Sequence, residues 1–193
     1  MNWIEQNYSE EYICGIDEVG RGCLFGDVVV AAVIMKRYSY IEGIRDSKKL
    51  TEKKRKILFD EIMKNAVAIG LGSASSKEID KINILNATKL AMKRSIYQLE
   101  LFRKPDIILI DSVKLDIPEK HISFNHADDL SYNVACASIV AKVSRDRLCY
   151  GWDKLYPGYN IVKHKGYGTK GHREAIIKLG STDLHRKSFK VRV

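Results

Sequence analysis

Two adjacent carboxylates, Asp17 and Glu18, close an apolar, strand-like segment (residues 12–19) that runs straight into Gly20-Arg21-Gly22. Charged groups beside a sheet lose on the order of several kcal/mol of hydration unless they are paired or bind a metal. The turn adds backbone N–H groups and one guanidinium, which is equipment for a phosphate or a sugar. A third acid, Asp111, ends the continuous apolar run 107–110, and Asp128 and Asp129 stand just before a stretch of small residues. In α/β sheets, ligands gather outside the carboxyl ends of neighbouring strands. If the two acid-bearing strands are adjacent, Asp17, Glu18 and Asp111 converge, and Asp128 or Asp129 is placed to supply a fourth acid. Hard oxygens in this number suit Mg2+ or Mn2+ and not zinc. Two such ions, about 3.5–4 Å apart, activate a water and stabilise the departing oxygen of a phosphodiester. Because successive strand side chains point to opposite faces, Asp17 and Glu18 share one site only if the strand bends at the glycine turn.

The elements that must position these acids follow from pattern. Residues 26–36 are β-branched and apolar and read as a second strand pairing with the first. Thr51 is placed as N-cap of a helix over 52–64, and residues 66–73 read as a third strand. A helix over 77–101 breaks near Asn83. Residues 107–110 read as a buried central strand and 121–124 as one more. Residues 134–141 are apolar or small almost throughout, a pattern that fits strand or helix. Their continuation through Lys142, Arg145, Asp146 and Leu148 argues for a buried helix lying close against the sheet, with Asp146 as an ion-pair residue. The whole reads as an α/β layer with a mixed sheet.

At 193 residues the chain has the length of one domain. Its net charge is +9, and residues 163–193 hold nine Lys/Arg against Glu174 and Asp183, so most of the excess lies there. A basic end favours a polyanionic partner. Tyr156, Tyr159, Tyr167 and Phe189 interleave with the bases and are expected to add stacking. The longest apolar run, 28–35, is too short to cross a bilayer. The acidic first residues lack the form of a signal peptide, so a cytoplasmic protein is expected. Cys14, Cys23, Cys136 and Cys149 form no CxxC pair and read as small buried hydrophobes. The five histidines have no HxH or HxxxH spacing, which argues against zinc and for phosphate contact or surface placement. Gly20-x-Gly22-x-x-x-Gly26 is not a dinucleotide fingerprint, since a strand and not a helix follows it. Gly166-x-x-x-x-Gly171 has His172 where a phosphate loop needs lysine.

Six segments in order carry a family resemblance. They are Gly15-Ile16-Asp17-Glu18-Val19-Gly20-Arg21-Gly22, Asp46-Ser47-Lys48-Lys49-Leu50, Leu109-Ile110-Asp111, Ala135-Cys136-Ala137-Ser138-Ile139-Val140-Ala141-Lys142, His164-Lys165-Gly166-Tyr167-Gly168-Thr169 and His185-Arg186-Lys187-Ser188-Phe189. The chain resembles bacterial ribonuclease HII nearly end to end. The resemblance implies a ribonuclease H-like fold, a mixed five-stranded sheet flanked by helices, with a helical C-terminal extension. It implies one catalytic domain over 1–193, a core over 1–150 and a basic substrate-binding extension over 151–193.

The implied activity is that of a monomeric, metal-dependent endoribonuclease. It would cut the RNA strand of RNA–DNA hybrids and cut 5′ to single ribonucleotides in duplex DNA, leaving 3′-hydroxyl and 5′-phosphate ends. By position, Asp17, Glu18, Asp111 and Asp128 would hold Mg2+ or Mn2+, Asp128 being preferred to Asp129 by its spacing to the small-residue helix. Gly20, Arg21, Gly22 and Tyr167 would sense the ribonucleotide, because only a 2′-hydroxyl distinguishes it from DNA. Lys48, Lys49, His164, Lys165, His172 and Arg186 would be backbone contacts, which position a duplex without reading its sequence. Where the family usually has Pro-Leu-Ala-Gly-Pro, this chain has Cys23-Leu24-Phe25-Gly26-Asp27, so a less rigid loop and extra negative charge near the metals are expected. Ribonuclease HIII, the sister family, usually carries an extra N-terminal domain, whereas about a dozen residues precede the first strand here. Val191-Arg192-Val193 lacks the glutamine and paired aromatics of a tail that binds a sliding clamp.

Overall fold

The computed structural model describes residues 3–190; Met1 and Asn2 of the N-terminal segment and the Val191-Arg192-Val193 tail lie outside them. Five strands, β1 (Ile13–Val19), β2 (Val28–Met35), β3 (Ala66–Ala74), β4 (Ile107–Asp111) and β5 (His121–Phe124), form one sheet in the order β3-β2-β1-β4-β5. β1 runs antiparallel to β2, and β2 to β3, while β4 runs parallel to both β1 and β5. The sheet is mixed, in the ribonuclease H-like arrangement. Every residue of β2 is buried, which explains its unbroken apolar sequence: both of its faces are covered.

The helices are α1 (Glu52–Asn65), α2 (Ser76–Glu100), α3 (Ala127–Leu130), α4 (Tyr132–Leu155), α5 (Ile161–His164) and α6 (Lys170–Leu179). α2 covers one face, packing Ile79, Ala91, Met92 and Leu99 against Cys14, Ile16, Val30 and Ile34. α1 and α4 cover the other, around Ala31 and Val33. Each isoleucine, leucine, valine and methionine side chain among these, when fully buried, contributes about 1.5–3 kcal/mol. Thr51 caps α1 by accepting from the Lys54 amide, and Asn83 interrupts α2 with φ 64° and ψ 166°. Both features match the pattern.

The ambiguous stretch before Lys142 is helix, buried at every position from Tyr132 to Ala141. Gly15 permits this close contact, since a Cβ there would lie 2.2 Å from the Asn133 carbonyl carbon. Ser131 caps α4 through the Val134 amide, and Glu5 Oε1 accepts from both Ser131 Oγ and the Asn133 amide. α4 passes position 150 without interruption, so the 150/151 division falls inside a helix. The C-terminal segment folds back on the loop after β1 through the antiparallel bridges Cys23↔Tyr167 and Phe25↔His185. Phe25 packs there with Cys149, Tyr159 and Ile161. All four cysteines are free and buried.

Candidate active site

The adjacency required of the acid-bearing strands is met. β1 and β4 are parallel neighbours, with Ile16 opposite Ile110, so Asp17 and Asp111 lie one residue further along two touching strands. Asp17 is buried, and its Oδ1 accepts from the Glu18 amide at 2.7 Å. Its carboxyl also takes a hydrogen bond from Ser138, whose hydroxyl lies 2.8 Å from that of Ser47. Asp111 Oδ1 accepts from the Ala127 amide at 2.9 Å, which ties the strand end to the start of α3 and brings Asp128 to the same place. Asp128 is buried and its Oδ2 lies 3.6 Å from Lys48 Nζ, whereas Asp129 is exposed and pairs with Lys49 Nζ at 2.5 Å. Alternation does place Asp17 and Glu18 on opposite faces. Glu18 nevertheless stays in the cluster, because at the strand end its carboxylate feels Asp111 and Lys48.

The electrostatics are those of a site short of positive charge. Burial, then the charges of Glu18 and Asp111, push the Asp17 carboxyl well above the usual range. Glu18 is raised by burial although Arg21 Nη1, 3.2 Å from its Oε1, works against that. Asp128 is raised by burial and next by Asp46, a buried carboxylate that sequence reasoning passed over. Burial draws Lys48 down, but Asp128, Asp46, Asp17 and Asp111 outweigh it and leave the amine raised. Glu18 Oε2 is buried with no hydrogen-bond partner. Hard oxygen donors, mutual repulsion and an orphaned carboxylate oxygen fit a divalent cation. Among the described residues, no three His, Cys, Asp or Glu side chains are grouped closely enough to hold a metal ion as they stand.

The flanking residues divide into two groups. Gly22 and Tyr167 are exposed and Arg21 is half-exposed, with Tyr167 bridged through its backbone to Cys23. The Tyr167 phenol is raised by burial first and then by the Cys23 thiol beside it. Neither the Arg21 nor the Gly22 amide donates to a backbone carbonyl among the described residues. Lys48 and Lys49 are exposed, and Lys165 Nζ lies 4.4 Å from the centre of the Tyr150 ring.

The remaining three basic candidates do not face solvent as expected. His164 stacks on His172 at 4.2 Å and uses both ring nitrogens internally, on the Tyr159 carbonyl and the Gly166 amide. His172 is fully buried between the Tyr167 carbonyl and His185 Nε2, and Arg186 is 2 % exposed. His172 and Arg186 are too deeply buried to touch a duplex from there, whereas His164 is half-buried; Phe25 packs edge-on against His172 and His185. The aromatics are corrected in the same way. Tyr159 is buried and bonded to the Gly180 carbonyl, Tyr156 donates to Asp183, and Phe189 packs on the core, which leaves Tyr167 as the exposed one of the four. Nor is the loop carrying Cys23 to Asp27 slack, and Asp27 faces Arg145 and Arg186 and not the acids. Arg145 and Ser138 were not foreseen as partners of the site, because what they bond to leaves no mark in the sequence.

Comparison with known proteins agrees with this geometry. The family model described as Ribonuclease HII matches residues 14–192. Ribonuclease HII of Alkaliphilus metalliredigens is 51% identical over 189 residues, covering 96% of this chain and 92% of that protein. Ribonuclease HII of Caldicellulosiruptor saccharolyticus is 51% identical over 192 residues, covering 96% and 92%. Among solved structures, the ribonuclease in the PCNA:RNase HII complex from Archaeoglobus fulgidus superposes with TM-score 0.77 at 27% identity, over 94% of this chain and 96% of that one. Bst-RNase HIII in complex with Mn2+ shares the fold, with TM-score 0.68 at 22% identity over 92% of this chain and 67% of that one.

Proposed function

The chain belongs to the ribonuclease HII family of type 2 ribonuclease H hydrolases, and on that premise we propose that it cuts 5′ to single ribonucleotides in duplex DNA as well as within RNA–DNA hybrids. The family is one of divalent-metal-dependent endoribonucleases acting on RNA–DNA hybrids. In our reading Asp17, Glu18, Asp111 and Asp128 hold the cations, Mg2+ or Mn2+. When bound, two such ions supply an activated water and charge stabilisation for the departing 3′-oxygen. The observation that supports this is that Asp17, Glu18 and Asp128 each feel the charge of Asp111 across the ends of β1, β4 and α3, with Glu18 Oε2 left unpartnered; an ion would draw the four closer as it binds.

The protein's own side chains do the rest. Arg21 holds Glu18 Oε1 and fixes the direction of that carboxylate. Ser138 and the Glu18 amide orient Asp17, and the Ala127 amide orients Asp111. Lys48 restrains Asp128 while remaining exposed enough to meet a phosphate. The Arg21 and Gly22 amides and the Tyr167 ring and hydroxyl flank the site and read the 2′-hydroxyl, which donates and accepts where DNA offers nothing. Contacts of this kind fix a duplex by its backbone, so cleavage is nearly independent of sequence.

The test is cleavage of labelled duplex DNA carrying one ribonucleotide, with Mg2+, Mn2+ or EDTA, mapped at nucleotide resolution. The expected result is a metal-dependent cut on the 5′ side of the ribonucleotide with a 3′-hydroxyl product. Binding without cleavage, or cleavage of hybrid alone, would overturn the reading.

A further inference from the structure

Two arginines lie in the interior beneath the Gly20-Arg21-Gly22 loop, and no carboxylate lies within ion-pair distance of either among the described residues. Arg145, on α4, is fully buried. Its Nε donates to the Asp27 carbonyl at 2.9 Å, its Nη2 to that of Phe25 at 3.0 Å, and its Nη1 to that of Lys165 at 2.6 Å. Arg186 donates from Nε to the Gly26 carbonyl at 2.9 Å and from Nη1 to the Arg21 carbonyl at 2.8 Å. Five main-chain oxygens of the two segments that flank the acids are thus satisfied by two guanidinium groups. Asp27 is a negative charge that feels both of them.

Burying a guanidinium without a bound carboxylate costs on the order of several kcal/mol. Stability alone does not call for it, because a buried charge can often be replaced by apolar packing without loss. What an arginine adds is a rigid, planar fork of N–H donors that fixes several acceptors at set distances, which the single ammonium of lysine cannot do. Arg145 is bonded to both halves of the flanking structure, the 25–27 turn on one side and the residue two before Tyr167 on the other. The fit is tight, since a Cβ on Gly20 would lie 2.3 Å from Arg145 Nε. Arg186 holds the Arg21 carbonyl itself, in the middle of the turn, and its main-chain amide donates to the Leu24 carbonyl. The Leu24 amide then bonds to the Gly166 carbonyl, next to Tyr167.

We propose that Arg145 and Arg186 are positioning residues for ribonucleotide recognition, a buried clamp that sets the distance between the Gly20-Arg21-Gly22 amides and Tyr167 and so governs discrimination for a single 2′-hydroxyl. The proposal rests on the reading of those residues as the ribonucleotide sensor. It assigns Arg186 to the inside of the sensor and not to the nucleic-acid surface. In this chain it also gives Asp27 a task, as the charge that partly balances the clamp.

The experiment compares the full-length protein with Arg145→Lys and Arg186→Lys on two labelled substrates, duplex DNA with one ribonucleotide and continuous RNA–DNA hybrid. Each kcat/KM is measured, and amide hydrogen exchange is followed at Leu24, Gly26, Tyr167 and the β2 strand. The expected result is a tenfold or greater fall in the ratio of single-ribonucleotide to hybrid cleavage. Exchange should quicken at Leu24, Gly26 and Tyr167, whose amides are hydrogen-bonded, while β2 stays protected. A proportional loss on both substrates, or exchange that quickens everywhere, would mean that the arginines only hold the fold and would overturn the clamp. If Arg145→Lys does not fold, Arg186→Lys decides, since it leaves the contact with Lys165 in place. Failure of the underlying reading has a separate signature: the unaltered protein itself would show no cut at the lone ribonucleotide, and the clamp would fall with it.

Discussion

The carboxylate cluster and the arginine clamp lie on either side of one loop and solve opposite problems. At the ends of β1 and β4, buried acids repel one another and Glu18 Oε2 has no partner. Beneath the loop, the buried cations of Arg145 and Arg186 meet main-chain carbonyls, the Cys149 sulfur and the Trp152 and Phe189 rings, and of their polar atoms only Arg186 Nη2 is left over. The difference marks which part awaits a ligand. Each acid is oriented by an internal partner yet the cluster leaves an oxygen over at Glu18, whereas the two arginines are nearly used up by theirs.

Asp17→Asn gives the largest effect on this contrast. Cleavage of hybrid and of single-ribonucleotide DNA should both fall by about three orders of magnitude or more, as for loss of a metal-holding acid, with hybrid binding by fluorescence anisotropy retained. The metal-free protein should meanwhile become more stable, by on the order of 1 kcal/mol in urea unfolding. The sign follows from the raised Asp17 pKa: near neutral pH the folded state pays to ionise this group, and the amide removes that cost. Destabilisation instead would mean that the acids are already satisfied.

Acid should separate the two regions in the next largest degree. Burial pulls His172 and His185 from 6.5 to about 4, and their Nε2 atoms lie 3.3 Å apart, where two imidazoliums cannot both sit. Folded pKa values below the unfolded ones mean that stability is complete above pH 6.5 and is lost as pH falls towards 4. The slope is about 1.4 kcal/mol per pH unit for each histidine that titrates alone. Over the same range the carboxylate end gains, because protonation relieves its repulsion. Urea unfolding at pH 7 and pH 5, with and without His185→Asn, checks this; a loss on acidification that the substitution leaves unchanged would place the acid-sensitive group elsewhere.

Tyr167→Phe is the mildest of the three. Removing one hydroxyl that is 41 % exposed as a residue should leave the unfolding midpoint unchanged and lower single-ribonucleotide cleavage about tenfold, the worth of one hydrogen bond. Unchanged preference for the lone ribonucleotide would take Tyr167 out of the sensor.

Much of this architecture is legible in the chain because its signals are local. Apolar runs that end in Asp17-Glu18 and in Asp111 announce strand ends, Thr51 announces a helix start and Asn83 a break. The direction of the basic and aromatic residues is not legible. Lys48 and His172 both count as basic residues in a basic protein, yet one is exposed and the other lies against Phe25. Arg145 sits beside Asp146 in sequence and looks like its partner, but Asp146 pairs with Lys142 at 2.6 Å. The three oxygens that Arg145 holds are main-chain carbonyls, which every residue carries, so no pattern of side chains could reveal them.

The bond from Arg186 to the Arg21 carbonyl spans 165 positions of the chain. During synthesis all four carboxylates, the last at Asp128, leave the ribosome well before this arginine does. Strands β1 and β4 and helix α4 have their residues in hand while the loop above them still lacks its lower fastening. A contact of such long range is among the last to be formed in folding. On our reading the acids are therefore made early, and the fastening that sets substrate choice is completed only when Arg186 follows them.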